Sequence, residues 1–253
     1  MNADIIKAHL NLAAVLQNLE DLVRFEDDMT ALTKTWNTSL QFTVFRGPRA
    51  FVEFKDGGCR VQTGSHVNPS VKLFFFSCAH LNRMFDDDAT PIPLKGWTQL
   101  GFLTKAFSKL TDTLKYYLSP TDERLQQTKY LELNTRLTLN TAAFAVKELA
   151  RLDPIAREVA SHISNGRVLM KILPDGPSIH FDFQNGGVQV KKEEADRPMA
   201  CIYMQGVRKA NDFLNGKLDA FAAVAAGDVL IKGQTPMIDS ISLILDRVPL
   251  YLK

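Results

Sequence analysis

The sequence predicts an α+β protein in which one domain is written twice, each copy a mainly antiparallel, twisted sheet of about five strands covered on one face by helices. Three observations carry this reading. The segment LNLAA at positions 10–14 returns as LNTAA at 139–143, and FKDGGCRV at 54–61 returns as FQNGGVQV at 183–190 with the same spacing of 129. Each copy also closes on a run of apolar residues spaced by three and four, the pattern of an amphipathic helix.

The repeat extends well past those segments. At the same spacing Gly47-Pro48 falls on Gly176-Pro177, Pro69 on Pro198 and Asn82 on Asn211, and the comparison runs without a gap from residue 10 to residue 87. Lys95-Gly96 then pairs with Lys232-Gly233 at a spacing of 137, which gives the second copy eight extra residues near 217–225. Tyr117-Leu118 pairs with Tyr251-Leu252 at 134, so the first copy's last helix is the longer by three residues. Between the copies lies SPTDERLQQTK, polar and opened by a Ser-Pro breaker, which is read as a linker over 119–129 between domains 1–118 and 130–253.

Within each copy a helix comes first, carrying Leu10, Ala13, Ala14 and Gln17, or Leu139, Ala142, Ala143 and Val146; the paired alanines suit close packing on a neighbour. A hairpin follows. Asp-Gly-Gly and Asn-Gly-Gly supply turn residues that tolerate positive φ, and Ile179, Phe181 and Phe183 alternate with Ser178, His180 and Asp182, so one face of the strand is apolar. Another strand comes next, VKLFFF at 71–76 or MACIYM at 199–204. Of Phe74, Phe75 and Phe76 at most two share a face, and core or interface packing suits them better than a ligand wall. The closing helices start at Thr98 and at Thr235, each placed as an N-cap, with Pro236 in the first turn. Their stripes are Leu103, Phe107, Leu110, Leu114 and Tyr117, and Met237, Ile241, Ile244, Val248 and Tyr251.

Composition narrows the function. With 45% hydrophobic and 23% charged residues and a net charge of +2, the chain reads as a soluble globular protein with no nucleic-acid footprint. No apolar run is long enough to span a bilayer, Asp4 interrupts a signal-peptide pattern, and the terminal LYLK is not a peroxisomal address. Cys59, Cys78 and Cys201 form no CxxC pair and are read as reduced thiols of a cytoplasmic protein. His9, His66, His80, His162 and His180 show no metal-ligand spacing, and Asp86-Asp87-Asp88 reads as a solvated turn or cap. The paired glycines are turn glycines without the lysine of a phosphate loop, and no G-x-S-x-G elbow is present, so no catalytic residue, metal or cofactor is expected. Lys105, Lys109 and Lys115 lie on the polar side of the first closing helix, a solvated face or a contact for anionic head groups.

The second copy resembles the sterol carrier protein, or nonspecific lipid-transfer, domain over residues 155–252. The resemblance rests on FLNGKLDAFAAVAAGDVLIKGQTPMIDSISLIL at 213–245, where Gly216, Lys217, Leu218, Asp219, Ala222, Gly227, Leu230, Lys232 and Gly233 match the family's run into its last strand and helix. The first copy, with DDDATPIPLKGW at 86–97, keeps the strand but lacks the G-K-L-D helix. The resemblance implies a non-enzymatic domain enclosing an apolar tunnel for a fatty acid, acyl-CoA, sterol or other lipid. The small residues at 221–226 leave volume between that helix and a face made by Phe181, Phe183, Ile202 and Met204. Ligand contacts are placed on those four residues, on Phe213, Leu218, Phe221 and Ala222, and on Leu230, Ile238, Ile241 and Leu245. The expected partner is a hydrophobic small molecule, with transient membrane contact and no nucleic acid. Two other classes stay open: a pseudo-symmetric accessory module that assists an enzyme acting on lipid-like substrates, and an enzyme on such a substrate.

Overall fold

Each sheet is pinned by the tight turn that the sequence marks. Asp56 and Gly57 adopt φ of 52° and 76°, and Asn185 and Gly186 adopt 51° and 76°, the left-handed pair that lets a two-residue turn follow the twist of its strands. The computed structural model describes residues 2–99 and 101–252 and divides into two units, residues 1–119 and 120–253.

The first unit begins with α1 (Ala3–Leu10), a π-helical turn over Asn11–Val15, α2 (Asn18–Phe25) and α3 (Asp27–Thr33). The strands β1 (Thr38–Val44), β2 (Arg49–Lys55), β3 (Gly58–Thr63) and β4 (Val71–Phe75) follow, then α4 (Cys78–Phe85), β5 (Ile92–Lys95) and, after a π-helical stretch over Phe102–Phe107, α5 (Ser108–Leu118). The sheet order is β3-β2-β1-β4-β5, with β1 and β4 parallel and the other neighbours antiparallel.

The second unit opens with α6 (Asp122–Leu125), α7 (Thr128–Leu152) and α8 (Pro154–Ser161). Then come β6 (Gly166–Leu173), β7 (Ser178–Gln184), β8 (Gly187–Lys191) and β9 (Ala200–Gln205), followed by α9 (Val207–Leu214), α10 (Ala220–Ala225), β10 (Val229–Gly233) and α11 (Thr235–Leu245). Its order, β10-β9-β6-β7-β8, with β6 and β9 parallel, reproduces the first sheet strand for strand. The architecture is therefore the expected α+β one, repeated. The eight extra residues of the second unit are the turn into α10 and α10 itself, for which the first unit has only the loop between α4 and β5.

Alternation places the cores. Val168, Met170 and Ile172 on β6, Ile179, Phe181 and Phe183 on β7, and Ala200, Ile202 and Met204 on β9 are all buried, and helices α7 and α11 pack on this sheet. The recurring Lys-Gly pair has a steric cause. Gly96 and Gly233 have φ of 88° and 84°, and an added Cβ would lie 2.8 Å from the Ser70 carbonyl oxygen and 2.1 Å from that of Met199, so only glycine fits. The recurring Asn82 and Asn211 are buried amides that join helices: Asn11 Nδ2 donates to Asn82 Oδ1 at 3.2 Å, and Asn211 Nδ2 donates to Asn134 Oδ1 at 2.6 Å.

Three expectations change. The gapless spacing of 129 does not hold. Val44 N–H donates to Pro48 O and Ile172 N–H to Pro177 O, so β1 and β6 correspond at a spacing of 128, the one that keeps Leu40, Phe42 and Val44 on the same face as Val168, Met170 and Ile172. A one-residue slip would turn that whole set outward. Neither threonine caps its helix. Thr98 lies in a single 3-10 turn (Trp97–Gln99), and Thr235 is already the first residue of α11, behind Gln234; Leu100, inside the first expected helix, lies outside the described residues. The linker segment is also structured: the Thr121 hydroxyl accepts from Arg124 N–H at 3.3 Å and caps α6.

Candidate functional site

The candidate site is the helix-covered face of the second sheet and the segment from α9 to α11 that closes over it. Phe181 and Phe183, two apart on β7, present stacked rings with centroids 6.2 Å apart, and Ile202 and Met204 extend the layer on β9. Ile238 and Ile241 lie on the buried side of α11, which packs on β9, α7 and α8. These six residues form one apolar layer without a titratable group among them. Phe213, Leu218 and Leu245 border it, half-buried.

Leu230, Phe221 and Ala222 are placed elsewhere. Leu230 stands opposite Tyr203 in the β9–β10 ladder, and directly paired residues share a face, so it belongs to the side of the sheet away from Ile202 and Met204. Phe221 is 88% exposed and Ala222 is exposed, while Ala223 is the buried residue of α10. A six-residue helix resting on a sheet edge has one inward position, and here it is Ala223. Val229, which the sequence did not single out, is buried on this side, and so are Met237 and Ile244, read from the sequence only as part of the closing helix's stripe. Val229 was legible from register, since it pairs with Met204.

The G-K-L-D run builds this closure. Gly216 turns the chain at φ 67°, Lys217 Nζ bonds Asp122 Oδ1 at 2.9 Å, and Asp219 Oδ1 accepts from Ala222 N–H at 2.9 Å as the N-cap of α10. Lys209 and Asp228, 2.9 Å apart, hold the exit of the helix. These charges are therefore engaged at the rim, and the layer of buried side chains beneath is apolar.

A second constellation ties the end of the unit down. Asp153, fully buried, caps α8 through Ile155 and Ala156 N–H, accepts two bonds from Arg247 at 2.7 and 2.8 Å, and accepts a third from Tyr251 OH at 2.6 Å. Burial alone would raise its pKa, but the hydrogen bonds from Arg247, Tyr251 and Ala156 N–H outweigh that and hold the carboxyl at about 2. Asp153 in turn pushes Arg247 upward, and burial first and Asp153 second push the Tyr251 phenol upward against the opposing effect of Arg247. Asp153 before Pro154 signals a cap in the sequence; its partners 94 and 98 residues away give no such sign.

In the first unit, the three lysines of the closing helix separate. Lys105 and Lys109 line an open groove of about 400 Å³ with Tyr116, whereas Lys115 bonds Asp87. Among the described residues no group of three or more His, Cys, Asp or Glu could hold a metal ion, and no helix is long and apolar enough to cross a membrane.

The second unit thus holds an apolar layer between a mixed five-stranded sheet and its helices, with ion pairs at the rim. Residues 146–246 match the SCP-2 sterol transfer family, and the second unit carries a domain of that family, which is one of lipid binding or transfer. Solved structures similar to this chain include sterol carrier protein 2 of Yarrowia lipolytica, at 12% identity over 42% of this chain and 92% of that one, with a TM-score of 0.34. The UbiJ-SCP2 ubiquinone synthesis protein is similar at 14% identity over 40% and 90%, with a TM-score of 0.32. Sterol carrier protein domain 2 of Helicoverpa armigera is similar at 15% over 53% and 97%, with a TM-score of 0.33. No curated protein matches the chain.

Proposed function

We propose that the protein binds and carries a lipid, such as a fatty acid, an acyl-CoA or a sterol, between the sheet and helices of its second unit, and performs no chemistry on it. The observation that carries this reading is that the family match includes α10, a helix inside the repeat that has no counterpart among the described residues of the first unit. That helix puts small side chains over the sheet edge and leaves a large one, Phe221, in water. An acyl chain sliding beneath it would gain about 0.8 kcal/mol per buried methylene, so a chain of roughly ten carbons offsets the cost of association. The force is non-directional, and selectivity among lipids should be broad.

The test is native mass spectrometry of the purified chain with solvent extraction, together with uptake of a fluorescent fatty acid. A co-purified lipid and saturable uptake are expected. A ligand-free protein that takes up no probe would end the proposal.

A further inference from the structure

The outer face of the first sheet, away from its helices, carries a feature that lipid carriage in the second unit leaves unused. Phe76 is 66% and Phe45 57% exposed, and they meet at one rim, because Phe45 N–H donates to Phe75 O across the parallel β1–β4 pair. Phe74 packs edge-on to Phe76, centroids 5.5 Å apart, and Ile92 stands opposite Phe74 in the ladder, on the same face. Two cations border this apolar rim. Arg46 lies 5.3 Å above the Phe45 ring, and Arg49 opens β2 opposite Thr43 at the same end of the sheet. Neither arginine has a carboxylate within ion-pair distance among the described residues.

The outer face of the second sheet is built otherwise. Arg167 is paired with Asp182 at 3.5 Å, Lys191 with Glu193 at 3.7 Å, and Lys171 with Glu194. The second sheet pairs these three outer cations with carboxylates and holds a fourth, Lys232, 5.5 Å over the Tyr203 ring, whereas the first leaves Arg46 over the exposed Phe45 ring and Arg49 on the Ser65 hydroxyl at 3.4 Å. That arrangement complements an occupant that is anionic at its surface and apolar just below.

We propose that this rim docks the protein on an anionic phospholipid bilayer, with Phe45 and Phe76 entering the boundary between head groups and acyl chains and Arg46 and Arg49 meeting lipid phosphates. A single-stranded nucleic acid would also suit aromatic and basic groups, but it would need the middle of the sheet. At the centre of the sheet Gln41 is buried, accepts from His66 N–H at 2.6 Å and donates to Ala50 O and Gly64 O, so the β3–β4 loop covers that strand and breaks the continuous groove a strand of nucleic acid would follow. The inference is independent of whether the second unit holds a lipid.

Co-sedimentation of the full chain with vesicles of phosphatidylcholine, with and without phosphatidylserine, tests it. Wild type is expected to favour the phosphatidylserine vesicles and to be released by salt. The double variant Phe45→Ser/Phe76→Ser should lose about tenfold or more in partitioning, and Arg46→Glu/Arg49→Glu should abolish the preference for anionic lipid. All four side chains are at the surface, so circular dichroism should be unchanged, and Phe221→Ser in the second unit should sediment like wild type. The proposal is overturned if wild type does not sediment, if the phenylalanine variant sediments as well as wild type, if Phe221→Ser is the variant that is lost, or if a single-stranded oligonucleotide displaces the vesicles.

Discussion

The two units share a scaffold and differ in what fills it. In the first, Trp36 packs edge-on against both Phe54 and Phe102 at 4.9 and 4.7 Å, and Phe107 joins the same cluster. In the second, the residue matching Phe54 is Phe183, whose ring stacks on Phe181 with centroids 6.2 Å apart, and both tryptophans of the chain belong to the first unit. What both keep is mechanical: the tight hairpin turn, the glycine after the edge strand, the buried amide between helices, and a tyrosine near the end of the unit bonded to an acid at a helix junction. Tyr117 OH donates to Glu26 at 2.6 Å as Tyr251 OH does to Asp153. The two copies share the parts that set backbone geometry and differ in the interior, one with an aromatic cluster around Trp36 and the other with a Phe181–Phe183 stack and an added helix.

The largest effect should come from the one clamp that the second unit has elaborated. Asp153→Asn removes the negative charge and one of the two acceptor oxygens that Arg247 and Tyr251 share, which leaves the guanidinium uncompensated, a loss of about 3–5 kcal/mol by urea denaturation. The sign with pH follows from the depressed carboxyl. Its contribution is complete above the ordinary aspartate value of 3.8 and fades as pH falls toward about 2, so the variant should lack that part of the acid transition. Equal acid sensitivity in both proteins would show that the clamp is not what titrates.

The next effect separates the interiors. Ala223→Phe forces bulk beneath α10 and should cost about 1–3 kcal/mol by overpacking. If the second unit holds the ligand, uptake of the fluorescent fatty acid should fall at the same time. Undiminished uptake would move the ligand away from α10. A smaller effect is expected for Tyr117→Phe, which removes one hydrogen bond to Glu26 and should cost about 1 kcal/mol, less than Asp153→Asn.

Much of this comparison was legible in the sequence, for physical reasons. Turn glycines, the alternation of Ile179, Phe181 and Phe183, and the Lys-Gly pairs each report a local constraint on the backbone, and local constraints are written locally. The slip between β1 and β6 was not legible, because β6 carries apolar residues on both faces: with Leu169 buried as well as Val168, alternation cannot choose between two registers one residue apart. The clamp on Asp153 was hidden by distance along the chain. The outward turn of Phe221 was hidden because AFAAVA is apolar all round, so its composition names no inner face.

Phe221 supplies the finest test. Being already in water, it should cost the folded protein within about 0.5 kcal/mol when changed to serine, and Tm should barely move. Any loss of lipid affinity in Phe221→Ser must then arise in a state where this ring is covered, which the ligand-free fold does not provide. A few-fold weaker uptake at unchanged Tm would mean that α10 closes down on its guest, since a ligand can shift a helix only by binding the shifted form better. Unchanged uptake would leave α10 a fixed roof and assign the binding energy to the layer formed by Phe181, Phe183 and Ile241.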